Sequence, residues 1–461
     1  MTINFYCWNE TDEATKARIM RRSQADIDDM IAIVTPIIED VKTRGDAALI
    51  EYAKKFDKAE ITSLKASPEE FAAAEKALDE NLKAAIAHGV RNIKAFHEEQ
   101  MRRAEKDRSW MVEIEPGVFA GEQINAIESV GLYVPRGKGA FPSALYMLAI
   151  PAVIAGVKNI AVVSPPTPEG TTDAATLYTA KLCGIENVYK CGGAQAIAAL
   201  AYGTQTIPQV KKVLGPGSPY VAAAKRICSV IMDPGMPAGP SESIVLADET
   251  ADPENTCLDI LNEGEHGEDS AALLVTHDEK LAKFVQQNLP SRIAELPEPH
   301  KTICTKVMGD GGYGGIILTE SLEQSIEIAN AYAPEHLLLK VSDENLSLCL
   351  PPPLTSTKPS PPPAGGIEGG SNLHLKHAGE ILIGEYTAFS LGNYATGVNH
   401  VLPTGGWAHT YSCTSVWDFL KRTSLSKCTK DGFNAIKDSV TTLTDYEGFP
   451  AHGDALRKRK L

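Results

Sequence analysis

The most informative stretch of this chain is residues 159–202, NIAVVSPPTPEGTTDAATLYTAKLCGIENVYKCGGAQAIAALAY, where short apolar runs alternate with longer helical ones. The runs at 159–164 and 187–191 have the length and composition of buried strands. The segments at 172–183 and 193–202 are typical of helices. Buried strands that alternate with helices at this spacing predict a parallel sheet covered on both faces.

The same alternation extends to both sides of that stretch. Toward the N-terminus it begins with a strand at 129–134 and a helix at 144–157, and toward the C-terminus it continues with a strand at 212–214 and a helix at 220–227. A second α/β region begins near Ser243. The sequence therefore predicts an α/β chain whose sheets are parallel.

The two ends of the chain have a different texture. Residues 69–87 and 87–106 carry apolar residues at helical spacing between charges, so the first hundred or so residues predict helices. The residues from about Ser415 onward predict a small helical end domain. Residues 350–371, LPPPLTSTKPSPPPAGGIEGGS, predict a disordered loop, because they cannot bury enough apolar surface to fold.

Composition and charge exclude several classes of protein. The 461 residues carry a formal charge of −15, and an acidic surface repels phosphate backbones, so nucleic acid is not an expected partner. No secretory signal is expected at the N-terminus, and the longest apolar run, 146–157, is too short to cross a bilayer. Nine cysteines without a CxxC pair do not form the pattern of a disulfide framework. We therefore expect a soluble, cytoplasmic protein.

One candidate metal-ligating cluster is EGEHG at 263–267. It lies at the end of a helix that Asp252 would cap and Pro253 would begin. Glu263 and His266 are three residues apart and share one helix face, so together they could chelate a divalent metal. The alternative is a polar helix end whose histidine complements the helix dipole. Taken alone, the residues favour this simpler alternative.

A second cluster, YAPEHL at 332–337, could supply two proton-transfer groups. The adjacent carboxyl of Glu335 and imidazole of His336 follow a proline that bends the chain. One group could activate water while the other takes a hydroxyl proton. The alternative is a turn with two surface polar residues, and in isolation that alternative is the better one.

The remaining polar or glycine-rich segments are less specific. GNYATGVNHVLPTG at 392–405 lacks helical or strand periodicity and predicts a loop that presents polar groups. Glu447 and His452 lie in the end domain outside any motif. No GxGxxG follows a strand, although the glycine-rich turns at 192–193 and 215–217 follow predicted strands, where ligands dock in open α/β sheets.

Together and in this order, these clusters resemble the histidinol dehydrogenase family. The matching blocks span residues 128–424, with His452 beyond them. They are GLYVPRGKGAFPSA, CGGAQAIAALAYGT, GPGSPYVAAAKR, PAGPSES, EGEHGEDSAALLVT, YAPEHLLL, HAGEILIGEYTAFSLGNYATGVNHVLPTGG and SVWDFLKRTS. The resemblance implies oxidation of L-histidinol to L-histidine in two NAD-dependent steps through a bound aldehyde. It also implies one zinc ion per subunit and an intertwined homodimer.

The resemblance also implies an α/β fold with two incomplete Rossmann-like domains, whose sheets are parallel, and smaller helical N- and C-terminal parts. The first Rossmann-like domain would carry the metal and catalytic motifs, and the second would contact the cofactor. The implied boundaries are 1–23 for an N-terminal helical arm, 24–127 with 243–414 for the first Rossmann-like domain, 128–242 for the second, and 415–461 for the C-terminal helical domain.

The roles of the family's site residues carry over by motif. Glu335 would activate water, and His336 would act as a base toward the alcohol and the hydrate. Ser241 and His400 would line the substrate site, and Glu447 would hold the substrate amine.

The cofactor and metal ligands carry over in the same way. Tyr133, Gln195 and Ser218 would contact NAD. The zinc ligands would be Glu263, His266, Asn393 and His452. All of them except Asn393 would also contact the substrate.

Four positions depart from the family pattern. Glu263 stands where the family has Gln, and Asn393 stands where it has Asp, so the two residues exchange their charges and the four ligands keep about one negative charge. Ser218 replaces the usual Asn and has less reach. Arg136 replaces the usual Gly, and the added cation would favour an anionic substrate.

Three alternatives to the implied activity stay open. The departures could mark a relative that oxidises another amino alcohol or a small polyol. Zinc beside Glu335 and His336 also suits a metal-dependent hydrolase. An inactive structural paralogue is the third alternative.

Overall fold

The computed structural model describes residues 1–22, 27–136, 139–351 and 374–460, and it folds into α/β layers built on three sheets. The strands are β1 (Phe5–Cys7), β2 (Ser109–Glu115), β3 (Val118–Ala126), β4 (Ser129–Tyr133), β5 (Asn159–Ser164), β6 (Val188–Lys190), β7 (Lys212–Leu214), β8 (Glu242–Ala247), β9 (Ala271–Thr276), β10 (Gly315–Leu318), β11 (His336–Lys340), β12 (Glu380–Ile383) and β13 (Leu420–Cys428).

The helices cover both faces of two of these sheets. They are α1 (Glu13–Arg21), α2 (Ile27–Arg44), α3 (Asp46–Tyr52), α4 (Pro68–Ala77), α5 (Glu80–Lys106), α6 (Pro142–Ala155), α7 (Ala174–Leu182), α8 (Gly193–Tyr202), α9 (Pro219–Cys228), α10 (Pro253–Gly264), α11 (Glu279–Glu295), α12 (His300–Met308), α13 (Leu322–Tyr332), α14 (Asp343–Cys349), α15 (Phe389–Tyr394), α16 (Lys430–Tyr446) and α17 (Pro450–Arg457). Among the described residues, no helix is long and apolar enough to cross a membrane.

Two of the sheets are entirely parallel, as the sequence predicts. The larger has six strands in the order β1-β10-β9-β8-β11-β12, and the smaller has four in the order β6-β5-β4-β7. The third sheet is antiparallel and has the order β13-β3-β2. The predicted α/β class with parallel sheets is therefore confirmed.

Each parallel sheet has a hydrophobic core on both faces. On the four-stranded sheet, Ile38 of α2 and Ile197 of α8 belong to one core, and Ile93 of α5 and Leu148 of α6 belong to the other. On the six-stranded sheet, α10, α11 and α12 cover one face, and α1 and α13 cover the other. This arrangement explains why the strands read as nearly continuous apolar runs.

The packing of residues 24–127 differs from the expected domain division, which joins them to 243–414. Helices α2 and α3 pack on α8 and α9, α4 packs on α7, and α5 packs on α6, so they belong to the core of the four-stranded sheet. Helical periodicity shows which face of a helix is buried, but it does not show which sheet buries that face. The chain's first residues contribute instead to the six-stranded sheet, through β1.

The segment from Ser415 onward is not purely helical. Before α16 and α17 it forms the nine-residue strand β13, which pairs with β3 along its whole length. Most side chains of β13 are exposed, so the strand lacks the apolar alternation that would have revealed it. The hairpin of β2 and β3 was missed for the same reason, since all seven residues of β2 are exposed.

Two further local predictions were imprecise. The helix with Asp252 at its N-cap and Pro253 in its first turn was correct, but it ends at Gly264 rather than at 267. The segment 392–405 begins inside the short helix α15 before it becomes a loop. The Pro-rich stretch predicted to be disordered lies, from residue 352 onward, outside the described residues.

Candidate active site

The candidate catalytic residues lie at the amino-terminal edge of the six-stranded sheet. His336 is the first residue of β11, Glu380 the first of β12 and Glu242 the first of β8. In the strand register His336 lies beside Glu380 on one side and Ser243 on the other. Because the three strands start together, their first side chains are brought to one buried place.

A tight connection between α13 and β11 positions Glu335 and His336. Ala333 ends the helix in a left-handed conformation with φ of 49°, and Pro334 follows it. On the opposite side Gly379 lies so close that a Cβ there would be 2.5 Å from the backbone oxygen of Glu335. This position therefore requires glycine, and the close approach fixes the backbone beneath the two catalytic candidates.

His336 is held by a carboxylate and points toward two others. Its Nδ1 lies 2.6 Å from Oε1 of Glu380 and donates its proton there, since an ionised carboxylate can only accept. The other nitrogen, Nε2, lies 3.8 Å from Oε1 of Glu335 and 3.9 Å from Oε2 of Glu263. The imidazole therefore has a fixed orientation, with Nε2 available for proton transfer.

Burial and neighbouring charges shift the pKa values of both residues. Burial raises the pKa of Glu335 to about 8, although the charge of His336 opposes the rise. Burial would lower the pKa of His336, but the carboxylates of Glu263, Glu335 and Glu380 outweigh it and raise the pKa to about 10. Both groups therefore hold their protons more tightly than usual.

Three of the four expected metal ligands meet beside this pair. Glu263 is buried near the end of α10, with its Oε2 3.3 Å from Nδ1 of His266 and its Oε1 accepting a 2.8 Å hydrogen bond from Nδ2 of Asn393. Burial disfavours the charge on Glu263, yet the imidazoles of His336 and His266 hold its pKa below the ordinary value.

The chemistry of this group fits a divalent cation. Oδ1 of Asn393 and Nε2 of His400 are buried and have no hydrogen-bond partner among the described residues. Buried polar atoms are normally satisfied, so acceptor atoms left open around the carboxylate of Glu263 suit a bound metal. Burial and the nearby charge of His336 lower the pKa of His400 to about 4, so its imidazole is neutral and can act as a ligand or an acceptor.

The loop that carries His400 is anchored by helices α5 and α6. Asn399 donates through Nδ2 to the backbone oxygen of Met147 at 2.6 Å and lies 3.1 Å from Nε2 of the buried His97. Its Oδ1 accepts from the backbone N–H of Val401 at 3.0 Å. Tyr146, Asn92 and the backbone at 394–395 add two further bonds between α5, α6 and this loop.

The fourth expected ligand, His452, is not brought into the cluster. His452 lies on α17, and Glu447 lies at the end of α16, and both are exposed. These helices attach to the rest of the described chain through β13 and the turn at Gly117, whose oxygen accepts from the N–H of Thr429. Among the described residues of a single chain, three of the four expected ligands are therefore brought together and His452 is not.

The candidate cofactor residues lie at the carboxyl edge of the four-stranded sheet. Tyr133 ends β4, and its hydroxyl accepts a 3.1 Å hydrogen bond from the N–H of Gly193, at the start of α8. Gln195 is buried in the first turn of that helix. Ser218 is the N-cap of α9, but its hydroxyl caps no backbone N–H and remains available to a ligand. Arg136, just beyond β4, donates to the oxygen of Pro166.

Sequence reasoning missed three residues that support the site. Glu242 and Glu380 each begin a strand of apolar residues, and an acid at the start of a buried run was a signal that could have found them. Arg22 pairs with Glu242, and nothing in its sequence context indicates this. Ser241, expected in the substrate site, lies next to Glu242 just before β8, and its backbone oxygen accepts from Ala271.

Comparisons with known proteins agree with this geometry. The family model for histidinol dehydrogenase matches residues 20–349 and 372–460, so its match is interrupted at the Pro-rich stretch. The histidinol dehydrogenase of Synechocystis is 50% identical over 96% of each chain. A histidinol dehydrogenase homolog of Rhizobium meliloti is 44% identical over 99% of this chain and 94% of its own.

A solved structure gives the same result. The crystal structure of histidinol dehydrogenase from Elizabethkingia anophelis matches with a TM-score of 0.86 and 34% identity, over 99% of this chain and 97% of that chain. The match covers the sheets and helices that carry Glu335, His336 and Glu263. The chain therefore belongs to the histidinol dehydrogenase family, whose members are NAD-dependent oxidoreductases.

Proposed function

We propose that this protein oxidises L-histidinol through L-histidinal to L-histidine, in the cytoplasm, with NAD as the oxidant and one zinc ion per subunit. The observation that carries the proposal is the buried pair of proton-transfer groups, Glu335 and His336, beside the open ligand atoms around Glu263. An alcohol oxidation followed by an aldehyde oxidation needs one base for the hydroxyl proton and one for water.

The residues of the chain divide this work between them. Nε2 of His336 accepts the proton of the alcohol, while Glu380 holds the imidazole through Nδ1. Glu335 takes a proton from water when the aldehyde is hydrated, and the peptide N–H of Glu242 orients its carboxylate at 3.0 Å. When bound, NAD supplies the hydride acceptor, and zinc supplies a Lewis acid for the reacting oxygen.

Glu263, His266 and Asn393 would hold the metal from one chain, and His452 would come from a second copy. Ser241 and His400 would line the substrate site of the same chain. Glu447, like His452, would reach it from the partner, and it would bind the substrate amine. Tyr133, Gln195 and Ser218 would contact NAD.

Exposed apolar surface supports a homodimer. On β2 the side chains of Trp110, Met111, Val112 and Ile114 are all exposed, although a β-strand of a stable monomer buries at least one face. On the C-terminal helices Tyr446 is 91% exposed. Contiguous exposed apolar residues of this kind mark an association surface. We propose that a second copy covers them and supplies its C-terminal helices to this chain's site.

The direct test is a steady-state assay with L-histidinol and NAD, with and without a chelator. We expect two NADH per L-histidinol, and we expect the chelator to remove the activity and added zinc to restore it. Other amino alcohols and small polyols serve as comparison substrates. If the enzyme turned over one of these compounds and did not turn over L-histidinol, that compound would be the substrate in place of L-histidinol.

A further inference from the structure

Arg22, directly after helix α1, is a buried cation in an unusual backbone conformation. The residue is 5% exposed, whereas the preceding Arg21 is exposed. Its φ of 58° and ψ of −164° are strained for a residue other than glycine. Such a conformation persists only when surrounding contacts determine it, and strained residues of this kind are concentrated near functional sites.

The contacts of Arg22 lead to the base of the active site. Its Nη1 lies 2.9 Å from Oε2 of Glu242, and both side chains are buried. The guanidinium stacks 3.7 Å above the ring of Tyr332, which is the last residue of α13. A Cβ at Gly406 would lie 3.3 Å from Nη1, so the loop after His400 also packs against this cation.

Glu242 connects this cation to two parts of the site. Its peptide N–H donates to Oε2 of Glu335 at 3.0 Å, and its Oε1 accepts from the N–H of Gly405 at 2.6 Å. The first bond orients the carboxylate that activates water. The second fixes the loop that carries His400. A movement of Glu242 would therefore change both the orientation of Glu335 and the position of the loop that carries His400.

A buried carboxylate such as Glu242 depends on its partner cation. Arg22, Glu335, His336 and Tyr332 are the charged or titratable groups around it, and Arg22 is the one of opposite charge that pairs with it directly. Removing one member of a buried ion pair leaves an uncompensated charge, which must be neutralised or must move toward water. A carboxylate that moved toward water would break its hydrogen bond with the N–H of Gly405 and shift the start of β8.

We propose that Arg22 is a positioning residue for catalysis, which holds Glu242 in place and, through its peptide N–H, orients Glu335. The proposal rests on the role proposed above for Glu335. It predicts that the cation contributes to turnover without touching substrate or cofactor, and that a neutral pair can replace the charged pair.

Kinetics of four variants test the proposal. Arg22→Met should lower kcat by about 10- to 100-fold, since the carboxylate of Glu335 would lose its fixed orientation in the reaction. Arg22→Lys should recover part of the loss. Arg22→Met with Glu242→Gln should recover most of it, because the amide oxygen still accepts from Gly405. Arg21→Met, at the exposed neighbour, is the matched control.

Hydrogen exchange measured by mass spectrometry gives a second readout that does not depend on turnover. In Arg22→Met, peptides that cover 239–243 and 403–406 should exchange faster than in wild type, and in Arg21→Met they should not. A wild-type enzyme inactive toward L-histidinol would refute the proposed function, and the exchange comparison would still test the Arg22–Glu242 link.

Three results would overturn the positioning role. The first is an Arg22→Met enzyme that matches Arg21→Met in both kcat and exchange. The second is a loss of activity that equals the loss of folded protein, with normal kcat in the folded fraction. The third is a double variant no more active than Arg22→Met.

Discussion

At the scale of single residues, the proposed metal site depends on where one negative charge is placed. Glu263 and Asn393 share a hydrogen bond of 2.8 Å between Oε1 and Nδ2, so the carboxylate and the amide would occupy adjacent ligand positions. Two amides at these positions would offer the cation no negative charge, and two carboxylates would repel each other at this distance. The chain therefore keeps one acid and one amide.

This arrangement predicts how charge exchange affects zinc affinity. Glu263→Gln should weaken zinc binding by at least about 10-fold, since even residues that only support metal ligands contribute 10- to 100-fold. Glu263→Gln with Asn393→Asp restores the single charge and should recover much of the affinity. Zinc titration against a competing chelator measures both. Equal affinity in the two variants would contradict the charge argument.

Glu335 and His336 are predicted to serve different half-reactions. In Glu335→Gln, His336 can still accept the alcohol proton, but hydration of the aldehyde loses its base. We expect the NADH formed per L-histidinol to fall from about two toward one, with aldehyde released or trapped by a hydrazine. Glu265→Gln, on the surface near His266, is the control. A slower Glu335→Gln enzyme that still forms two NADH would assign the hydration step to another group.

At the scale of elements, helix α5 reaches across to the loop that carries His400. Oε1 of Gln100 accepts from the N–H of Val416 and faces Nδ1 of His97, so Nδ1 carries the proton and Nε2 accepts from Asn399. His97 is buried and neutral in this arrangement, and burial lowers its pKa below the ordinary value. A second proton would remove the acceptor that Asn399 needs.

His97 is therefore predicted to make the fold sensitive to acid. Its folded pKa is below its unfolded pKa, so below about pH 6.5 the unfolded state binds more protons and stability falls with pH. Between about pH 7 and about pH 5, wild type should lose more unfolding free energy than His97→Gln. Urea unfolding at each pH measures this difference. The control is His88→Gln, at an exposed position of the same helix, which should lose as much unfolding free energy as wild type does. If His97→Gln also lost as much unfolding free energy as wild type, the explanation would be rejected.

At the scale of the whole molecule, the proposed catalytic pair and the proposed C-terminal ligands lie on separate parts of the chain, as far as the described residues show. Glu335 and His336 are buried in the six-stranded sheet, while Glu447 and His452 are exposed on α16 and α17. Two copies related by a twofold axis would exchange the same contacts, so each could complete the other's site.

Complementation between two inactive variants tests this exchange. His336→Ala and His452→Ala should each be inactive as homodimers. In a heterodimer purified through two different tags, one site has both defects and the other has none, so we expect about half of the wild-type kcat per dimer. The control is the heterodimer of differently tagged His336→Ala chains. An inactive mixed heterodimer would show that His336 and His452 of one chain act together.

The sequence predicted much of the fold and part of the site. The parallel sheets and the helix that carries Glu263 could be recognised, because burial and capping leave local patterns. The clusters around Glu335 and Asn393 were recognised only through the resemblance to a family. The strands β2 and β13 could not be, because their exposed side chains lack such a pattern. Arg22 could not be either, because it is paired with a residue 220 positions away.

By itself, then, the sequence determined the secondary structure of the apolar segments, the family and the identity of most candidate site residues. Tertiary structure alone decided that α2–α5 cover the four-stranded sheet, that Glu380 holds His336, that Arg22 supports Glu242, and that His452 lies away from its expected partners. The physical reason is range. Helix and strand preferences depend on neighbours within a few residues, whereas the meeting of distant side chains depends on which apolar faces pack together.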